Sequence, residues 1–140
     1  MNEAEFPRKP LPPSTQALEG VTVLDFSHVI AGPFATYHLA ALGARVIKVE
    51  NPSGGDAVRN NPRSFTSLNH GKECVSLDLR HSEDVRTAQA LLATSDVMVD
   101  NMRPGVLARY GLGMEQARAM HPRLIHCSLN LIMGIDQSSV

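Results

Sequence analysis

Val21-Thr-Val-Leu-Asp-Phe26, followed by Ser27-His-Val-Ile-Ala-Gly-Pro33 and then by Leu42-Gly-Ala-Arg-Val-Ile-Lys-Val-Glu50, decides the fold of this chain. The first six residues are short, apolar and rich in β-branched side chains, the composition of a strand. Gly32-Pro33 then opens a helix that runs to about Leu42. Proline suits the first helical turn because its missing N–H would be unpaired there in any case. Gly43 supplies the stop. Arg45-Val-Ile-Lys-Val-Glu50 is a second strand. Strand, helix and strand within so short a span make a βαβ unit, the building block of a parallel sheet.

The same alternation continues outward from this unit. Residues 51–71 are rich in Pro, Gly, Asn and Ser and read as one long loop, a length that is uncommon inside a domain and often functional. Cys74-Val-Ser-Leu-Asp-Leu79 alternates apolar and polar residues, as a half-exposed strand does. Ser82 is expected to cap a helix reaching Thr94, with Glu83 and Asp84 in the first turn, where the helix dipole favours anions. Val85, Ala88 and Leu92 share one of its faces. Asp96-Val-Met-Val-Asp100 is a further strand and Asn101-Met-Arg-Pro-Gly105 a turn. Residues 106–110 and 114–120 form short helices, and Arg123-Leu-Ile-His-Cys-Ser128 the last strand. The expected architecture is α/β, a Rossmann-like parallel sheet with flanking helices.

Composition narrows the function classes. The chain has 140 residues, 43% hydrophobic and 19% charged, with a formal net charge of −1. These values suit a globular domain and imply no strong attraction to nucleic acid or to an anionic membrane. No apolar run approaches the roughly 20 residues that span a bilayer as a helix. Residues 1–17, with Pro7, Pro10, Pro12 and Pro13, read as a disordered lead-in without the apolar core of a signal peptide. Cys74 and Cys127 sit in strand-like runs and are expected to be buried thiols in a reducing compartment, which argues for the cytoplasm. The histidines show no metal-ligand spacing, so no metal is expected.

In open α/β sheets, ligands bind outside the carboxyl ends of the strands. Those ends are Ser27-His28, Glu50-Asn51, Asp100-Asn101 and Ser128. The first leads into a helix N-terminus, whose free amides can hold a phosphate. A nicotinamide dinucleotide is disfavoured, because the turn lacks the G-x-G-x-x-G pattern that lets a pyrophosphate approach the backbone. Arg59, Arg63 and Lys72 offer cations near that turn, either for an anionic cofactor or merely for solvent. His126 and Cys127 are neighbours on a strand and point to opposite faces, which argues against a Cys–His nucleophilic pair.

The stretch from Leu18 to Pro33 resembles the opening of the family III CoA-transferases, the group that includes formyl-CoA transferase and carnitine CoA-transferase. So does Leu42-Gly-Ala-Arg-Val-Ile-Lys-Val-Glu50 with Gly54-Gly-Asp56 after it. Lys72, Leu77 and Asp78 fall in the family's N-x-x-K-x-S-I-x-L-D segment, and Asp96-Val-Met-Val-Asp-Asn-Met-Arg-Pro-Gly105 resembles its N-F-R-P-G motif. Tyr110-Gly-Leu-Gly113 and His121-Pro-Arg-Leu-Ile-His-Cys-Ser128 continue the likeness. The resemblance implies that residues 18–128 are the N-terminal, CoA-binding part of a large Rossmann-like domain, and that residues 129–140 are a divergent tail.

The resemblance also implies an activity: transfer of CoA from an acyl-CoA to a carboxylic acid, in an interlocked homodimer. Carried over position by position, it implies CoA contacts at Val29, Ala31, Asn51, Leu77, Arg80, Asn101, Met102 and Arg109. Asn51 stands where the family often has a cation. Ile30 stands where formyl-CoA transferase has a glutamine, and isoleucine donates no hydrogen bond, which argues against formyl-CoA or oxalate as substrate. The family's aspartate nucleophile is expected beyond residue 140, and Asp136 lacks its context, so the chain reads as a fragment that binds CoA without the catalytic carboxylate. An α-methylacyl-CoA racemase-like fragment and a non-catalytic CoA-binding or partner module are the alternatives.

Overall fold

The computed structural model describes residues 16–129. The expectations placed on residues 1–15 and 130–140, including Asp136, lie outside the described residues. In chain order the elements are β1 (Thr22–Asp25), α1 (Ala31–Ala41), β2 (Arg45–Glu50), a 3-10 turn (Ala57–Asn60), α2 (Pro62–Asn69), β3 (Glu73–Ser76), α3 (Ser82–Ala93), β4 (Val97–Asp100), a second 3-10 turn (Leu107–Tyr110), α4 (Met114–Met120) and β5 (Ile125–Ser128). The five strands form one parallel sheet in the order β3-β2-β1-β4-β5. The α/β architecture expected from the sequence is the architecture observed.

Side chains alternate across a strand, so each strand feeds two layers. One face of the sheet carries Leu24, Ile47, Val49 and Met98, which pack with Ala88 and Leu92 of α3 and Ala117 of α4. The other face carries Val23, Val46 and Val99, covered by Leu39 and Ala40 of α1. Leu24, Phe26, Leu92, Met98 and Leu112 are fully buried, and each such side chain contributes roughly 1.5–3 kcal/mol relative to exposure. Just past the end of α1, Gly43 has a φ of +102° and turns its amide back onto the Ala40 carbonyl at 2.9 Å.

Three expectations are corrected. Residues 51–71 are not a continuous loop: they contain the first 3-10 turn and α2. Asn61 caps α2 through a 3.3 Å bond from the Ser64 amide, and Pro62 takes the first helical position. The residue types that suggested a loop here are the ones that start a helix.

Ser82 is the first residue of α3 rather than its cap. His81 holds the cap position with no side-chain bond, while Glu83 and Asp84 do occupy the first turn.

Cys74 and Cys127 are exposed free thiols rather than buried ones. Their strands, β3 and β5, are the two edges of the sheet, where a strand-like run keeps an uncovered side.

Candidate functional site

The face of the sheet beneath α1 changes character along the strands. Val23 is followed on the same face by Asp25, and Val46 by Lys48 and Glu50, so the apolar layer gives way to charge at the carboxyl ends. All three charged residues are buried. Each is satisfied, as a buried ion must be. Asp25 accepts from the Ser27 amide at 2.9 Å and hydroxyl at 2.5 Å, from Thr36 Oγ1 at 2.6 Å and from Lys72 Nζ at 3.1 Å. Lys72 Nζ also donates to the Pro33 carbonyl, Thr36 Oγ1 and Asn69 Oδ1. The side chain of Lys72 is fully enclosed, so it ties α1 and the end of α2 to β1 and is not available to an anionic ligand. Burial also pushes its ammonium pKa down.

A second buried pair lies beside the first. Lys48 Nζ reaches Asp56 at 3.0 Å, with both side chains 0% exposed, and donates to the Ser27 carbonyl at 2.6 Å. Asp56 also accepts from the Val58 amide and, across the site, from the Val29 amide at 3.0 and 3.2 Å. Burial raises the Asp56 carboxyl, but the amides of Val58 and Val29 and the Lys48 ammonium outweigh it and hold the pKa below its ordinary value. Val29 has a φ of +71° and is the only described residue other than glycine with a positive φ. For a β-branched side chain this conformation costs about 1–3 kcal/mol and persists only where surroundings impose it.

Glu50 closes the loop after β2. It takes a two-pronged contact from Arg59 at 2.6 and 2.7 Å and the Asp56 amide at 2.9 Å. Burial raises this carboxyl too, but the bonds from Arg59 and Asp56 and the charges of Arg59 and Lys48 hold it down at about 2. The guanidinium of Arg59 also lies 3.9 Å above the Phe65 ring. Gly55, at φ +63°, sits so close that an added Cβ would stand 2.7 Å from Glu50 Oε2.

These contacts frame a cleft of about 550 Å³ at the carboxyl ends of the strands, within the range of small-molecule and cofactor sites. Its floor is apolar, from Phe26, Val49 and Leu77, with Tyr110 and Met102 to one side. Its rim is polar, from His28, Glu50, Asn51, Ser53, Asp78 and Arg80. The strand order reverses between β1 and β4, and such switch points are where open α/β sheets bind ligands. There Asn101 accepts from the His28 amide at 2.8 Å and donates to the His28 carbonyl at 2.7 Å. Burial and the Lys48 charge lower the pKa of His28, which lines the cleft. Arg80 is folded onto Asp78 at 2.7–3.1 Å and holds that carboxyl at about 2.

The residues singled out from the sequence divide accordingly. Asn51, Leu77, Arg80 and Met102 line the cleft together. Val29 and Ala31 lie on the adjoining β1–α1 turn. Asn101 spends its amide on His28, and Arg109 stands exposed on the second 3-10 turn, outside the lining. Asn51 Oδ1 accepts from the Ser53 amide at 2.8 Å and so shapes its own loop. Arg59 is bound to Glu50, and Arg63 is exposed on α2. His28, Tyr110 and Asp56 stand within the strand ends and motifs quoted from the sequence but carry no contact role there. The Gly54-Gly-Asp56 run was the one available signal for Asp56, because a carboxylate after two glycines can turn back under its own loop.

Comparison with known proteins gives the family and agrees with the fold. The model of the family described as CoA-transferase family III matches residues 18–131. A formyl-CoA:oxalate CoA-transferase of Rhodopseudomonas palustris is 43% identical over 123 residues, covering 82% of this chain and 29% of its own length. A succinyl-CoA:glutarate CoA-transferase of Mus musculus is 42% identical, covering 83% of this chain and 28% of its own. Among solved structures, the Mycobacterium tuberculosis protein Rv3272 superposes with a TM-score of 0.81 at 39% identity, over 86% of this chain and 34% of that one. A CaiB/BaiF family protein from Brucella suis gives 0.78 at 35% identity, over 82% and 33%. The chain thus spans less than a third of the length of the curated relatives described. A sheet of this order, a cleft at its switch point and a family match across almost all described residues lead to one assignment: the chain belongs to CoA-transferase family III.

Proposed function

We propose that this chain binds the CoA part of an acyl-CoA, as the nucleotide-holding portion of a protein that moves CoA between an acyl-CoA and a carboxylic acid. The observation that carries the proposal is the cleft at the β1–β4 switch. It joins an apolar floor suited to a base with Arg80 at its rim for phosphate, and it lies beside the β1–α1 turn. Asn51, Leu77, Arg80 and Met102 line it, and the reading adds Val29, Ala31, Asn101 and Arg109, which stand outside that lining, as the remaining contacts.

The cleft is lined by two carboxylates, Glu50 and Asp78, and each is held by an arginine, Arg59 and Arg80. Both are thus engaged in holding the wall of the cleft, which supports a binding role for this part of the chain. Isothermal titration with CoA tests the reading. We expect saturable binding in the micromolar to millimolar range, and no heat at millimolar CoA overturns it.

The outer face of α1 supports a partner surface. Phe34 and Ile30, one turn apart, are 51% and 61% exposed, and Leu42 is also exposed. A helix apolar on both sides is normally covered on both, and a second copy of the chain in a homodimer is the reading the family favours. Two exposed free thiols favour a reducing compartment, which supports a cytoplasmic location.

A further inference from the structure

Two features of the site are separate in sequence and joined in space. The loop over residues 51–60 walls the cleft through Asn51, Ser53, Gly54 and Gly55. The turn over residues 28–31 carries Val29 in its left-handed conformation. Asp56 connects them. Its amide donates to Glu50 within the loop, and its carboxylate crosses to the Val29 amide. Lys48 Nζ binds both that carboxylate and the Ser27 carbonyl, so the turn is gripped on either side of His28.

Val29 is 47% exposed, so no tight packing of its side chain demands the unusual backbone. The backbone there is held instead by hydrogen bonds: Asp56 on the Val29 amide, Lys48 on the Ser27 carbonyl and Asn101 on both backbone groups of His28. The Asp56 bond is the one made to Val29 itself, and a valine without such a hold favours negative φ.

We propose that Asp56 is a positioning residue, which transmits the order of the 51–60 loop to the backbone of the Val29–Ala31 turn. A nucleotide seated in the cleft touches the loop. Through Asp56 that contact fixes the turn, where the remainder of the CoA would run, so binding energy from a remote part of the ligand is realised elsewhere. The proposal rests on the CoA reading above, and its test separates the two.

The 140-residue chain is titrated with CoA and with adenosine 3′,5′-bisphosphate, the nucleotide half of CoA. Asp56→Asn is expected to weaken CoA by at least about tenfold while changing the bisphosphate by less than about threefold. Adding Val29→Gly should restore CoA to within about threefold of the unsubstituted chain, because glycine adopts positive φ without help. A merely structural role for Asp56 would weaken both ligands alike and would not be rescued by glycine, and that outcome overturns the proposal. So does Asp56→Asn with unaltered CoA affinity.

If Asp56→Asn fails to fold, Arg59→Met loosens the same loop and keeps the Lys48–Asp56 pair. It is expected to weaken CoA by a smaller factor and to respond to Val29→Gly in the same way; no weakening, or no response, counts against the proposal. An NMR reading needs no ligand. Positive φ gives Val29 a strong intraresidue Hα–HN NOE, which should fade in Asp56→Asn or, if that chain is unfolded, in Arg59→Met. If the unsubstituted chain binds neither ligand, the CoA reading falls. The NOE then decides alone: its loss upholds the positioning role of Asp56, and its persistence sinks it.

Discussion

Asn101 grips both backbone polar groups of His28, accepting from its amide at 2.8 Å and donating to its carbonyl at 2.7 Å across 73 residues of chain. The pair joins the ends of β1 and β4 at the point where the sheet order reverses. Each bond satisfies a part-buried group that has no strand partner there. Asn101→Ala should cost about 1–3 kcal/mol, read as a lower urea midpoint at unchanged m-value. Asn101→Asp keeps the acceptor and loses the donor, so it should fall between the two. Equal stability of all three chains would show that the junction does not depend on this side chain.

The pH dependence of stability follows from Glu50. Its folded pKa of about 2 lies below its ordinary value of 4.5, so the folded state holds fewer protons. The stabilisation is complete above about pH 4.5 and is lost as pH falls through the folded value, on the order of 3 kcal/mol in all. Urea denaturation between pH 7 and pH 2 should show this loss, and Glu50→Gln should flatten the slope over that window while lowering stability at pH 7. An unchanged slope in Glu50→Gln would count against the Arg59–Glu50 contact as its source.

The enclosed Lys72–Asp25 pair should behave as a coupled unit. Lys72→Met alone leaves a buried carboxylate without its cation and should cost roughly 3–5 kcal/mol. Asp25→Asn together with Lys72→Met should cost less than the sum of the single changes. A double-mutant cycle by chemical denaturation measures the coupling, and additivity would contradict it.

Arg80 is tied to Asp78 but its side chain is 67% exposed, so its loss should spare the fold and weaken the ligand. Arg80→Ala is expected to reduce CoA affinity about tenfold with little change in thermal midpoint, and the deficit should shrink at high salt. By contrast, Leu92→Ala, in the centre of the α3 layer, should destabilise by about 2–5 kcal/mol.

Phe34→Ser addresses the outer face of α1. It should leave the unfolding free energy nearly unchanged, because Phe34 is half exposed, and reduce concentration-dependent association in sedimentation velocity. Unaltered association would remove α1 as a partner surface.

Much of this molecule is legible in its residues one segment at a time. The apolar runs at 21–26, 45–50 and 96–100, punctuated by Gly43 and the Asn101–Gly105 turn, name these strands and their parallel direction, because periodicity and turn chemistry are local. The helix at 62–69 was hidden for the same reason: its starting signals, Asn61 and Pro62, are also loop residues, and only their neighbours' hydrogen bonds tell the two apart. The thiols were misjudged because a run of β-formers does not say whether its strand is central or at an edge.

By itself the sequence determined the fold class, the strand ends at which the cleft opens, and the family, since each rests on residue types at short spacings. What only the tertiary structure decided is which charges are sealed inside the fold and which stay open at the cleft. Lys72 looks like a candidate anion contact and is a sealed partner of Asp25; Asp56 looks like a loop residue and holds Val29 in a strained turn. The reason is physical: the role of a charge depends on what its burial leaves within about 3 Å of it, and those partners come from segments dozens of residues away.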